Sequence, residues 1–462
     1  MALQQQSPSS FKVYIRWRPL SASESTTSEL GRSVIQHESN QAISITSTSS
    51  SNRKRTWKSG ASFAQVFPES DLNSHVYKSV VEPTLSHVMS GATCSFFAYG
   101  HSGSGKTHTI IGYNYEEDQH LGLCLSAARE LFRVVDGINT TIELVGSGQD
   151  EYQEELSIAI RLYEVRGKCA YDLFNNGVEC HIREGPDGRT HVRGQTEMLE
   201  GGKVRVRPIV AIPCWSFEEL RKTVLAGLAR RSTGTSSIHD DSSRTHAILE
   251  LEIINKALLE ARDAVIERES ELVPVGKRAT DVYIDEHHKS LIKTPEGKYV
   301  MNPERPLDQE RIDIAEAEKQ KFEARLKLAE DAVANCFTMR RHPCLGGKFV
   351  FVDLAGSEYF DQGTAAPAAR PKQTPQEQRQ GRQINTDLFA LKEVVRARAS
   401  NQARIPFRSS PLTMVLRSHF LAMDGQSTMI LTVSPSDTQF AATMNTLKYG
   451  NLVGEAGGIR EE

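Results

Sequence analysis

The chain predicts an α/β fold, and three observations carry that expectation. The apolar run at residues 93–99 leads directly into Gly100-His101-Ser102-Gly103-Ser104-Gly105-Lys106-Thr107. A second run, Gly-Lys-Phe-Val-Phe-Val-Asp at 347–353, is apolar at consecutive positions, as a strand covered on both faces must be. Other stretches repeat apolar residues every three to four positions, the period of an amphipathic helix. A chain of 462 residues holds one large α/β domain or two ordinary ones.

Taken in order, residues 1–10 are Gln/Ser-rich, lack the apolar core of a signal peptide and read as a disordered N-terminus. Residues 11–15 alternate and form a first strand leading into Arg16-Trp17-Arg18-Pro19. A Ser/Thr tract at 44–51 and a basic patch at 53–58 suggest an exposed hairpin or loop. Residues 75–89 have helical spacing (Val76, Val80, Leu85, Val88) despite Pro83. Strands follow at 93–99, 157–163, 246–254 and 347–353. Between the last two lies a charged insertion at about 256–346. Its first part, 256–270, has helical spacing. Its last part places Ile312, Ala315, Phe322, Leu326, Ala329 and Val333 on one helix face, suited to docking on the core or to a partner protein. His287 and His288 beside Asp285 and Glu286 do not make a metal site, because adjacent side chains point apart. Residues 363–383, rich in Pro, Gln and Ala, read as a flexible loop, and 454–462 as a short tail.

The net charge of −3 argues against nucleic-acid binding by the chain as a whole, while leaving room for a local basic face. Seven cysteines without C-x-x-C spacing fit reduced thiols better than disulfides or zinc. No apolar run approaches the roughly 20 residues that cross a bilayer. A soluble, cytoplasmic protein with no membrane partner is expected.

Residues 100–107 have the G-x-x-x-x-G-K-T spacing of a phosphate loop. Its glycines let backbone N–H groups turn toward phosphates, Lys106 supplies charge for the β/γ oxygens, and Thr107 offers a hydroxyl to Mg2+. Two further segments suit the same chemistry. In Asp353-Leu354-Ala355-Gly356-Ser357-Glu358, Asp353 can hold a magnesium-bound water, and Gly356 can present its N–H to a γ-phosphate. In Ser242-Ser243-Arg244-Thr245-His246, adjacent hydroxyls suit magnesium and an attacking water.

These motifs, with Met-Asn-Thr-Leu-Lys-Tyr at 444–449, occur in the order found in the kinesin motor domain, which the chain resembles from about Phe11 to Leu452. A GTPase is disfavoured, because Asn255-Lys256 is trailed by Ala257-Leu258 and not by the guanine signature. The resemblance implies one motor domain over 11–453, with a central mixed, mostly parallel sheet flanked by helices on both faces. It implies ATP and ADP with Mg2+ as ligands, ATP hydrolysis stimulated by microtubules, and a cytoskeletal location. It assigns Arg16, Arg18, Pro19 and Tyr77 to the nucleotide's base side, residues 100–107 to its phosphates, and His108, next in the motif, to nucleotide binding. Thr107, Ser243 and Asp353 fall to Mg2+, partly through water, and Ser242, Ser243, Arg244, Asp353, Gly356 and Glu358 to catalysis. Arg244 and Glu358 match a salt bridge closing over the γ-phosphate, Arg231 an arginine ahead of the first switch, and Asn385 the start of a relay helix. Lys392, Arg396, Arg398, Arg404 and Arg408 form the basic cluster expected to meet acidic tubulin.

The chain departs from the family pattern on the track side. Thr386-Asp387 stands where Lys-Ser is usual, Pro411 replaces a lysine, and His239 replaces an asparagine of the first switch. Residues 390–397 and Pro406-Phe407-Arg408 are similar to the microtubule-depolymerising class, although the Lys-Val-Asp tip of that class is missing from 44–58. After Tyr449, where the family continues into a neck linker and usually a coiled coil, residues 454–462 are short and glycine-containing. The expectation is an excised motor domain or a motor that does not walk, monomeric over this sequence. The competing reading is a kinesin-derived nucleotide-binding module that acts through protein interactions.

Overall fold

The computed structural model describes residues 11–47, 55–113, 115–145, 154–185, 188–233, 244–357, 375–400, 402–421 and 425–457. A twelve-stranded mixed sheet organises them. In spatial order it runs β11 (Val204–Pro208), β10 (Thr190–Met198), β9 (Val178–Glu184), β8 (Cys169–Asp172), β7 (Leu156–Arg166) and β13 (His246–Asn255). It continues through β16 (Lys348–Asp353), β6 (Thr93–Tyr99), β17 (Gln426–Val433), β1 (Phe11–Trp17) and β5 (Gln65–Phe67), while β12 (Ile212–Cys214) pairs with β7.

The expectation of a mostly parallel sheet needs refining. The four pairings from β16 to β5 are parallel. The seven others are antiparallel. Parallel neighbours need long crossovers, which the helices supply around β6, whereas β7 and β8 are joined by a tight turn at Gly167 (φ 63°).

Side-chain alternation along the central strands divides the core in two. Phe96, Ala98, Phe349 and Phe351 face one layer, with the helices Asn73–Val80, Leu123–Val145 and Phe217–Thr233. Phe97, Tyr99, Val350 and Val352 face the other, with Pro375–Ala399 and Phe440–Gly457. Consecutive apolar residues are therefore required, as the sequence suggested. Pro83 does break the helix expected at 75–89: Asn73–Val80 ends before it, a 3-10 turn spans Glu82–Thr84, and Leu85–Met89 follows. The expected hairpin is present in a small sheet of β2 (Gly31–Gln36), β3 (Gln41–Ser47) and β4 (Arg55–Lys58), but Ile43 and Ile45 are buried. Its tip lies outside the described residues.

The charged insertion is a two-helix arm. Asn255 caps Lys256–Lys289, its side chain accepting from the Leu258 N–H at 2.9 Å. Asp308 caps Gln309–Thr338 in the same way through Arg311. The stripe from Ile312 to Val333 is half-buried, and this helix packs along the first, so the apolar face is used within the chain. A small hairpin, β14 (Leu291–Lys293) and β15 (Tyr299–Met301), joins the two helices. The loop expected at 363–383 is helical from Pro375 onward, where proline suits a first turn and Gln, Glu and Arg are good helix formers.

Candidate nucleotide-binding site

The site grows from the C-terminal ends of the parallel strands. β6 stops at Tyr99, the phosphate loop turns over residues 100–105, and a short helix starts at Lys106. Gly103 and Gly105 take φ of 73° and 102°, which side chains rarely allow. Register fixes the neighbours: Asp353 pairs with Ala98, and Arg16 pairs with Thr432. Thr432 then meets Ser104 of the loop, hydroxyl to hydroxyl, at 2.7 Å.

A cavity of about 570 Å³ opens beside the loop. Its walls include Arg16, Arg18, Pro19, Asn73, residues 102–109, Tyr113 and Thr432. Arg16 is held from behind, donating to Asn73 Oδ1 at 2.5 Å and to Thr109 Oγ1 at 2.9 Å. Burial lowers its pKa to about 10, against the opposing charge of Asp71. Arg18 grips Glu24 through two bonds of 2.7 and 2.8 Å, which hold that carboxylate down to about 2. His108 is kept neutral, burial and then Arg16 and His120 pushing it to about 4. Tyr77 corrects an expectation: it is buried in the core and does not line the cavity. On a helix that packs inward, its ring serves the hydrophobic layer, while the rings of Trp17, Pro19, His108, Tyr113 and His120 line the wall.

At the phosphate end, Lys106 is buried and donates to the carbonyls of His101 (2.9 Å) and Gly100 (3.2 Å). Burial pulls its pKa to about 8, with Asp353 opposing and Arg231 assisting. Thr107 Oγ1 donates to Asp353 Oδ2 at 2.8 Å. Among the described residues, Asp353 Oδ1 is buried with no hydrogen-bond partner. An acceptor left in that condition beside a threonine hydroxyl fits Mg2+ held through water, and these oxygens are the hard donors that ion prefers. Among the described residues, His101 Nε2 and Ser357 Oγ are also buried without hydrogen-bond partners. A Cβ on Gly356 would come within 2.8 Å of the Ser102 nitrogen, so glycine is needed for this approach to the loop.

Behind the site lies a buried charge network. Arg231 bridges Asp353 (2.9 Å) and Glu164 (2.8 Å), and Thr245 donates to Glu164 at 2.6 Å. Sequence reasoning missed Glu164; the one signal was a carboxylate near the end of an apolar strand. The Ala355 N–H donates to His246 Nδ1 at 3.0 Å, leaving the ring proton on Nε2, 3.9 Å from Asp387 Oδ2. Asp387, on the helix Pro375–Ala399, is buried, and burial raises its pKa to about 6. At that distance the neutral ring and the carboxylate are neighbours without a hydrogen bond between them.

Ser242, Ser243, His239 and Glu358 lie outside the described residues. Arg244 is described and half-buried, at the entrance to β13. The basic cluster separates. Arg396 and Arg404 are exposed and Lys392 half-buried. Arg398 lies over the Phe420 ring, and Arg408 is clamped by Glu184 at 2.7 and 2.8 Å.

The sequence model of the kinesin motor domain matches residues 16–275 and 326–455. The chain belongs to the kinesin motor domain family. It is 25% identical over 452 residues to human (Homo sapiens) kinesin-like protein KIF24, covering 96% of this chain and 24% of that protein. The mouse (Mus musculus) KIF24 is 26% identical over the same length, again 96% and 24%. Kinesin-like protein KIN-13B of Arabidopsis thaliana is 27% identical, with 96% of this chain and 47% of that protein covered. The chain thus spans about a quarter to a half of these relatives. Residues 276–325, the distal part of the two-helix arm, fall outside the family match. Among the described residues no helix is long and apolar enough to cross a membrane.

Proposed function

We propose that this chain is a microtubule-binding, ATP-hydrolysing motor domain in which loss of the γ-phosphate alters the tubulin-facing helix. The observation that carries the reading is Lys106 and the Thr107–Asp353 pair gathered at the phosphate loop, with one Asp353 oxygen unspent. Lys106 exchanges its two loop carbonyls for β/γ-phosphate oxygens. Arg16, Pro19 and His108 orient the base side. Thr107 and Asp353 hold Mg2+, which supplies charge neutralisation to the phosphates. Gly356 offers its N–H at closest approach, while Ser242, Ser243 and the Arg244–Glu358 pair order and enclose the attacking water. Movement at Gly356 is passed to His246 through the Ala355 N–H, and the His246 ring lies beside Asp387 of the helix Pro375–Ala399, close enough to bond when the loop shifts. Exposed Arg396 and Arg404, with Lys392, are the stronger candidates for tubulin contact; Arg408 and Arg398 already have partners.

A second reading, a nucleotide-binding interaction module with little turnover, is favoured by Thr386 and Pro411, which replace track-side lysines, and by the arm outside the family match. Steady-state ATP hydrolysis with and without polymerised tubulin separates the two. Strong, salt-sensitive stimulation supports the motor, and tight nucleotide binding without stimulation supports the module.

A further inference from the structure

We propose that Cys169, Glu179 and His181 form a zinc site on the hairpin of β8 and β9. This site is independent of the nucleotide reading. Cys169 stands opposite His181 in the antiparallel register, and Glu179 lies two residues before His181 on the same strand. All three side chains therefore leave one face of the sheet, while Cys180 between them turns into the core. No short-range spacing in the sequence reveals this group; strand pairing assembles it.

One donor atom from each residue lies within 4.8 Å of the other two. The Cys169 thiol donates to Glu179 Oε1 at 3.0 Å, and the Tyr171 hydroxyl donates to Oε2 at 3.4 Å. Zinc bond lengths of about 2.0–2.3 Å place tetrahedral ligands roughly 3.3–3.8 Å apart, so small rotations about the side-chain bonds close the site. A thiolate, an imidazole and a carboxylate together select zinc over magnesium or calcium, which take oxygen donors. Tyr171 orients the carboxylate from outside the coordination sphere. Glu179 and His181 are exposed, so the fourth position is open to water. On binding, the thiol gives up its proton and zinc takes the place of the Cys169–Glu179 hydrogen bond. The ion clamps β8 to β9 close to Glu184, which holds Arg408 and Arg417.

Cobalt(II) is a suitable probe, because thiolate coordination produces a charge-transfer band in the near ultraviolet. The full chain, free of any histidine tag, is reduced, stripped with chelator and titrated with Co2+. One Co2+ per chain is expected, with that band, and an equivalent of Zn2+ should displace it. The band should vanish in Cys169→Ser and in His181→Ala and persist in Cys336→Ser. Unchanged thermal melting of the variants excludes unfolding, and His181→Gln replaces any variant that fails this check. Persistence of the band in Cys169→Ser, or its absence from the parent, overturns the proposal.

Discussion

Behind the phosphate loop, Arg231, Asp353 and Glu164 bury their charges against one another, with at most a tenth of any of these side chains exposed. Along the two-helix arm similar pairs stay in water: Arg278 pairs with Glu318 and Lys327 with Asp331, each side chain about half exposed. The difference teaches which charges hold geometry. A buried pair that loses one partner strands the other, at about 3–5 kcal/mol, whereas a surface pair is worth about 0–1 kcal/mol. The nucleotide edge should therefore be rigid and intolerant, and the arm permissive.

The largest effect expected from this contrast is at Arg231. Arg231→Ala leaves Asp353 and Glu164 facing each other and should destabilise the chain by about 3–5 kcal/mol, read by urea denaturation; a loss under 1 kcal/mol would erase the contrast. Asp387 comes next. Its folded pKa of about 6 lies above the unfolded carboxyl value, so the folded chain holds the extra proton. The Asp387 contribution to stability is then greatest below about pH 4 and falls as pH rises to about 6, by roughly 2–3 kcal/mol. Asp387→Asn should remove that slope. His246 stays neutral when folded, its pKa pushed to about 3 by burial, Arg231 and Lys106, and cancels in the comparison. Parallel stability profiles for parent and variant between pH 4 and 6 would deny the buried carboxyl. Gly356→Ala should cost about 1–3 kcal/mol through overpacking against Ser102, with ATP turnover lost along with it; an alanine that leaves both stability and turnover intact shows the loops are not in contact. The smallest effect is at Arg278, where Arg278→Ala should shift stability by no more than about 0.5 kcal/mol.

How much of this was legible in the sequence follows the same division. Gly103, Gly105 and Gly356 are demanded by backbone conformation or close approach, so the motif announces the loop geometry directly. The arm's stripe from Ile312 to Val333 was legible because helical period maps onto one face. The outer strands β8–β12 were not: they are short, half-exposed and paired by register, which leaves little periodicity to read. Glu164 escaped because its partners, Arg231 and Thr245, lie 67 and 81 residues away along the chain. Tyr77 was misplaced because a family position names a residue type but not the direction its ring takes in this packing.

The most direct test of the account is steady-state ATP hydrolysis by the full chain and by Lys106→Ala at matched thermal stability. Removing a positioned cationic donor from the phosphates should lower turnover by about 10²–10³-fold. Hydrolysis by Lys106→Ala at the parent rate would contradict the claim that this loop carries the chemistry.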